Sequence, residues 1–161
     1  MTHQHTLTLS CPAFKHNTSI PVDYTCRGRN ISPELRWGGV PAGAESLALI
    51  MDDPDVPVPW LQLMTWTHWV VYDIPRSLRV LTRHIAGTYT RPTGAQQAIT
   101  SFRKPGYRGP CPPIGTHRYY FRLYALDCML GLNPRHTRRA DVERAMASHV
   151  LDAAVLVGLY R

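Results

Sequence analysis

The chain has 161 residues, of which 44% are hydrophobic, 14 are proline and 11 are glycine. That length and apolar content support one domain with a sizeable core. The proline and glycine content argues against a helical bundle and for strands joined by many turns. The formal net charge of +7 favours anionic partners such as phosphates or acidic headgroups. Its positive residues are scattered, however, the densest groups being residues 135–139 and Arg103-Lys104. The pattern therefore reads as general solubility ahead of a nucleic-acid surface, and no specific nucleic acid is expected.

In chain order, residues 6–10 alternate weakly as a first strand. The stretch 26–30 is a turn, since Gly28 and Asn30 tolerate positive φ. Leu35 and Trp37 alternate as a short strand. Residues 46–51, SLALIM, are nearly continuously apolar, which predicts a strand buried on both faces. It runs into Asp52-Asp53-Pro54-Asp55. Pro54 holds Asp53 extended and so aims its carboxylate in one direction. Residues 58–65 read as a surface loop, and residues 66–75 as the next strand, with His68 on the face of Trp66, Val70 and Tyr72. Residues 77–100 are turn-rich, with one short strand expected. Residues 109–115, GPCPPIG, form a stiff loop. Residues 117–126 then alternate, with Tyr119, Phe121, Leu123 and Ala125 on one face and Arg118, Tyr120, Arg122 and Tyr124 on the other. Apolar residues at helical spacing predict a helix over 138–155, capped by Thr137 or Asp141. A last strand covers 155–160.

Cys11, Cys26, Cys111 and Cys128 form no CxxC pair, which argues against a zinc ribbon or thioredoxin-type site. The first ten residues lack the apolar centre of a signal peptide, and no run is long enough to span a membrane. The expectation is a cytoplasmic protein with reduced thiols and no transmembrane segment.

Three polar groups stand at predicted strand ends: Asp53 with Asp55, His68, and His117 with Tyr119. Two histidines beside a carboxylate resemble a metal set, but no third nitrogen or sulfur ligand has a fitting spacing, so no metal and no cofactor are expected. A hydrolase needs a nucleophile beside its base, and no G-x-S-x-G is present. Anion binding fits better. A Gly/Pro-rich loop presents backbone N–H groups, and histidines donate to oxygen when their tautomer is held by an aspartate. On alternation, Arg118 points away from His117 and Tyr119, toward a carboxylate of the DPD motif.

Taken together, DPDVP, then His68-Trp69-Val70-Val71 with Ile74-Pro75, then GPCPPIGTHRYYFRLYAL resemble the phosphatidylethanolamine-binding protein family, in its bacterial, Raf-kinase-inhibitor-like branch. Residues 24–33, Leu35 with Trp37, and residues 156–160 extend the resemblance over nearly the whole chain. It implies a mostly β fold, an antiparallel β-sandwich-like arrangement with a C-terminal helix and short peripheral helices. It also implies a small pocket for phosphate-like or phosphorylethanolamine-like ligands, built from Asp53, Pro54, His68, Pro112, Gly115, His117 and Tyr119. Asp55, Trp66 and Arg118 would support it. The reading is a non-catalytic binding protein, with regulation of kinases or other proteins among the family's roles. The alternative is a hydrolase or metal-assisted enzyme acting on a phosphorylated or ester substrate.

Departures are small: Val56 stands where the family usually has Ala, Glu34 where a second Pro is common, and Ser148 where Gly is usual. More distinctive are Val58, Pro59, Trp60, Leu61, Leu63 and Met64. This apolar stretch, 58–64, is either a protein-partner or homodimer surface or a segment packed locally on the sheet.

Overall fold

A computed structural model describes residues 4–161. Its frame is a six-stranded sheet in the order β2-β9-β8-β4-β5-β7, faced by a three-stranded sheet β1-β3-β6. The strands are β1 (Thr8–Ser10), β2 (Thr18–Ser19), β3 (Leu35–Gly38), β4 (Ser46–Val58), β5 (Leu61–Pro75), β6 (Val80–Leu81), β7 (Gln96–Gln97), β8 (His117–Leu126) and β9 (Val150–Tyr160), with one helix, α1 (Arg139–Met146). Two 3-10 turns, Val22–Tyr24 and Pro134–His136, complete the regular structure. The fold is mostly β, as expected. Pairing is antiparallel except at the edge, where β2 runs parallel to β9.

The apolar run at 46–51 forms the middle of the large sheet because it has something to bury on each face. Leu47, Leu49 and Met51 join the core between the sheets, with Trp37, Trp69, Phe121 and Leu123. Ala48 and Ile50 face the other way, against Val70, Tyr72 and the α1 residues Val142 and Met146. Asp52 lies on that second side, fully buried, and is held by Arg122 and by Arg139 at 2.8 Å. This ion pair ties α1 to the sheet.

Three expectations about local structure are corrected. The helix over 138–155 ends at Met146, and Val150 onward is strand β9. Residues 150–155 pair with residues 122–126 of β8, and that ladder overrides a helical spacing built largely from alanines and valines. At the start of α1 the side chain of Asp141 accepts from the Arg138 N–H at 2.9 Å, while Thr137 donates to the Asn133 carbonyl instead. Residues 77–100 hold two short strands, β6 and β7. The supposed loop at 58–65 is the apex of a long β4–β5 hairpin, turning at Pro59 and Trp60. β8 pairs with β4 only as far as Asp52, so the hairpin projects beyond the sheet. Trp60 is 71% exposed and Leu63 68%, with Leu61 and Met64 also exposed. These four side chains are therefore not packed on the sheet, whereas Val58 and Pro59 are half-buried.

The thiol expectation is also overturned. Cys26 and Cys111 form a disulfide, with Cα atoms 5.5 Å apart. Spacing could not reveal it, because 85 residues separate the two. The loops meet through other bonds: Cys26 N–H to the Pro110 carbonyl, Tyr107 Oη to the Tyr24 carbonyl, and Gly109 N–H to Asn30 Oδ1 at 2.7 Å. A Cβ on Gly109 would lie 1.9 Å from the Tyr24 carbonyl oxygen, so only glycine permits the approach. Cys11 and Cys128 are free.

Candidate functional site

At the hairpin end of the large sheet a cavity of about 270 Å³ opens. Its walls come from five places in the chain. β4 contributes Asp53 and Val56, and β5 contributes Trp66 and His68. The 109–115 loop contributes Cys111, Pro112 and Pro113, and β8 contributes His117 and Tyr119. Phe102 closes a side. Alternation along β8 accounts for the last pair, since His117 and Tyr119 lie on the inward face and Arg118 on the outward one.

His68 reaches the cavity by a different route from the simple alternation expected. Met51 pairs with Trp69, but Asp52 pairs with Thr67. His68 is therefore an extra residue on β5, a bulge, and bulges re-aim side chains. Val70 and Tyr72 point to the α1 side, whereas the His68 ring stands edge-on to Tyr119 at 5.3 Å and to Phe102 at 5.3 Å. Its expected face-sharing with Val70 and Tyr72 is thus corrected; its company with Trp66 stands.

The hydrogen bonds fix the chemistry. His68 Nδ1 lies 2.6 Å from the Arg108 carbonyl. A carbonyl only accepts, so Nδ1 carries the proton and the neutral ring keeps Nε2 as an acceptor. Burial pushes the His68 pKa down to about 4, against the opposing pull of the Arg108 carbonyl and Asp53. At neutral pH the ring is uncharged. Asp53 accepts from the Asp55 N–H at 2.8 Å through one oxygen and meets His117 Nδ1 at 2.7 Å through the other. His117 Nε2 faces the Ile114 carbonyl at 3.2 Å. Tyr119 is buried, and its hydroxyl has no hydrogen-bond partner among the described residues. Burial and the neighbouring Asp53 push its phenol far above the ordinary range, so it is a donor.

Asp55 and Arg118 belong to the scaffold. The Arg118 guanidinium grips Asp55 through Nε at 3.0 Å and NH2 at 2.8 Å, and its backbone N–H adds a third bond. Gln62 donates to the same carboxylate. Burial alone would raise the Asp55 pKa, but the Arg118 bonds outweigh it and hold the carboxyl below its usual range. This fork locks the hairpin to β8.

Of the predicted residues, Asp53, Trp66, His68, Pro112, His117 and Tyr119 line the cavity, while Pro54, Asp55, Gly115 and Arg118 do not. Gly115 is the turn that sets the loop against the hairpin. Its φ is +80°, and a Cβ there would meet Pro59 at 3.2 Å. Val56, Phe102, Cys111 and Pro113 also line the cavity but were not expected there. Cys111 and Pro113 lie inside the GPCPPIG motif, which pointed to them. Phe102 sits in a turn with no pattern of its own.

The family model for phosphatidylethanolamine-binding protein matches residues 10–161, and the chain belongs to that family. It is 48% identical over 155 residues to a UPF0098 protein of Methanothermobacter thermautotrophicus, covering 96% of this chain and 99% of that one. A UPF0098 protein of Aquifex aeolicus is 45% identical, over 92% of this chain and 85% of its own. Among solved structures, a phosphatidylethanolamine-binding protein homolog from Chlamydia trachomatis superposes with a TM-score of 0.87 at 35% identity, covering 98% and 99% of the two chains. YbcL of E. coli, described as a new member of the mammalian family, gives 0.86 at 28% identity, covering 97% and 98%. No helix among the described residues is long and apolar enough to cross a membrane.

Proposed function

We propose that this protein is a non-catalytic binding protein, working as one domain, whose cavity takes a small phosphorylated or similar anionic group such as phosphorylethanolamine. The observation that carries the reading is the Tyr119 hydroxyl. A buried hydroxyl without a partner is costly, by about 1–3 kcal/mol, and Tyr119 is one of the residues lining the cavity. An anion oxygen would satisfy it. The neutral His68 Nε2 beside it would accept a hydrogen bond from a protonated phosphoryl oxygen or an ammonium. The lining supports binding over nucleophilic catalysis. It offers two imidazoles, a carboxylate and a phenol, and its cysteine is tied in the disulfide. Calorimetry with phosphorylethanolamine, inorganic phosphate and ethanolamine tests this. The two phosphorylated compounds should bind and ethanolamine should not, and Tyr119→Phe should weaken binding about tenfold, the equivalent of about 1.4 kcal/mol. Binding of ethanolamine alone would sink the reading.

A second reading concerns the hairpin apex, and its support is the exposure of Trp60, Leu61, Leu63 and Met64. We propose that it pairs with a second copy of this chain. Residues 58–65 carry no charge in a chain of net charge +7, so two copies could meet there without opposing like charges. Sedimentation should give a dimer that Trp60→Lys with Leu63→Lys dissociates. A monomeric wild type at high micromolar concentration would contradict it.

A further inference from the structure

The opposite end of β8 holds a second cluster of chemical groups, unrelated to the cavity. β8 runs from His117 at the cavity to Leu126, a span of roughly 30 Å at the usual rise per residue. Just beyond Leu126 come Asp127 and Cys128, and across the ladder, just before β9, comes His149. One ligand atom from each of Asp127, Cys128 and His149 lies within 4.8 Å of the others. The sequence hides this set, because His149 is twenty-one positions from Cys128.

We propose that Asp127, Cys128 and His149 form a site for a borderline-soft divalent cation, Zn2+ by preference, with water completing a tetrahedral shell. The ligand types decide the class. A thiolate and an imidazole select zinc or copper over magnesium and calcium, which prefer all-oxygen shells. Geometry agrees. Tetrahedral zinc with bonds of about 2.0–2.3 Å sets its ligands about 3.3–3.7 Å apart. His149 Nδ1 and Asp127 Oδ1 already stand 2.7 Å apart, sharing a proton. They need only open slightly as the metal takes the place of that proton, which leaves to solvent, and the Cys128 sulfur already lies within 4.8 Å of both.

The frame is stiff, although the ligands are reachable. The Asp127 N–H donates to the His149 carbonyl at 3.0 Å, and the His149 N–H to the Met146 carbonyl at 2.9 Å. Ser46 Oγ donates to the Cys128 carbonyl at 2.5 Å. The His149 and Asp127 side chains are 42% and 45% exposed, which leaves an entry path and a coordination face for water. The local charge also favours a cation. The Asp127 carboxylate at the cluster and the nearby Asp73 are both acidic and supply negative charge for a cation. On binding, the thiol S–H bond breaks, the proton leaves to solvent and the sulfur pair forms the metal bond.

Protein purified without a polyhistidine tag and stripped with chelator would be titrated with Co2+ as a spectroscopic stand-in for Zn2+. The expected result is one equivalent bound, with a thiolate-to-cobalt charge-transfer band and the intense visible bands of tetrahedral cobalt. Cys128→Ser should abolish the charge-transfer band. His149→Ala should weaken binding by more than the roughly 10- to 100-fold that losing an outer partner causes. His68→Ala and Cys11→Ser should change neither. A wild-type measurement needs no variant: Zn2+ should slow alkylation of Cys128, read by peptide mass spectrometry. No thiolate band, a band that survives Cys128→Ser, or alkylation of Cys128 indifferent to Zn2+ would each overturn the assignment.

Discussion

His117 Nδ1 stands 2.7 Å from Asp53 Oδ2, with both side chains sealed from solvent. The second ring nitrogen faces the Ile114 carbonyl. A neutral imidazole has a single N–H, yet both nitrogens here meet acceptors. The two contacts together fix the ring's orientation at the cavity wall. Removing one partner strands the other. His117→Ala should destabilise the fold by about 3–5 kcal/mol, and Asp53→Ala combined with His117→Ala should be little worse than either alone. Urea denaturation of the four proteins gives the coupling; additive losses would contradict a paired unit.

How much of this was legible depends on how local the cause is. The run at 46–51 announces a strand buried on both faces because every residue after Ser46 is apolar, and alternation sorts β8 correctly because it has no bulge before Ala125. The motif residues of the cavity were readable through family resemblance. What escaped depends on partners distant in the chain. The bulge at His68 is a matter of register between β4 and β5. The disulfide needs two loops to meet. The strand at 150–155 is decided by its ladder with β8, not by its own residues. The apex residues looked apolar in sequence, but only the length of the hairpin beyond β8 reveals that they are exposed.

His68 makes stability depend on pH in a definite direction. Its pKa falls from 6.5 when unfolded to about 4 when folded. Between those values the unfolded chain binds the proton and the native chain does not, so stability drops as pH falls from 6.5 to 4. The slope approaches 1.4 kcal/mol per pH unit, or about 3 kcal/mol across the window. His68→Gln should remove this component, as read by denaturant midpoints at pH 4.5 and 7. Identical pH slopes for the two proteins would show that His68 is not held neutral.

The Cys26–Cys111 bond closes a long loop around the cavity wall. In the chain-entropy treatment a loop of that length is worth about 4–5 kcal/mol. Cys26→Ser with Cys111→Ser should approach that loss in denaturation and should weaken phosphate binding, because Cys111 lines the cavity. A thiol count on protein taken from its native compartment would show whether the pair is oxidised there; four free thiols would place it in a reducing compartment without this tie.

Asp152 provides a control remote from binding. Its carboxylate accepts from the Thr6, Leu7 and Ala153 N–H groups and from His5, fastening the first strand to β9. Burial alone would raise its pKa, but these bonds prevail and depress it strongly. Asp152→Ala leaves those backbone donors without their acceptor and should lower stability by about 2–3 kcal/mol, as read by thermal unfolding, with phosphate affinity unchanged.

The most direct test of the binding account is an NMR titration of the His68 ring in wild type and Tyr119→Phe, with and without phosphorylethanolamine. An anion beside His68 favours its protonated form, so ligand should raise its pKa from about 4 and shift its ring resonances, with a weaker response in Tyr119→Phe. A His68 titration curve indifferent to saturating phosphorylethanolamine and phosphate would contradict the account.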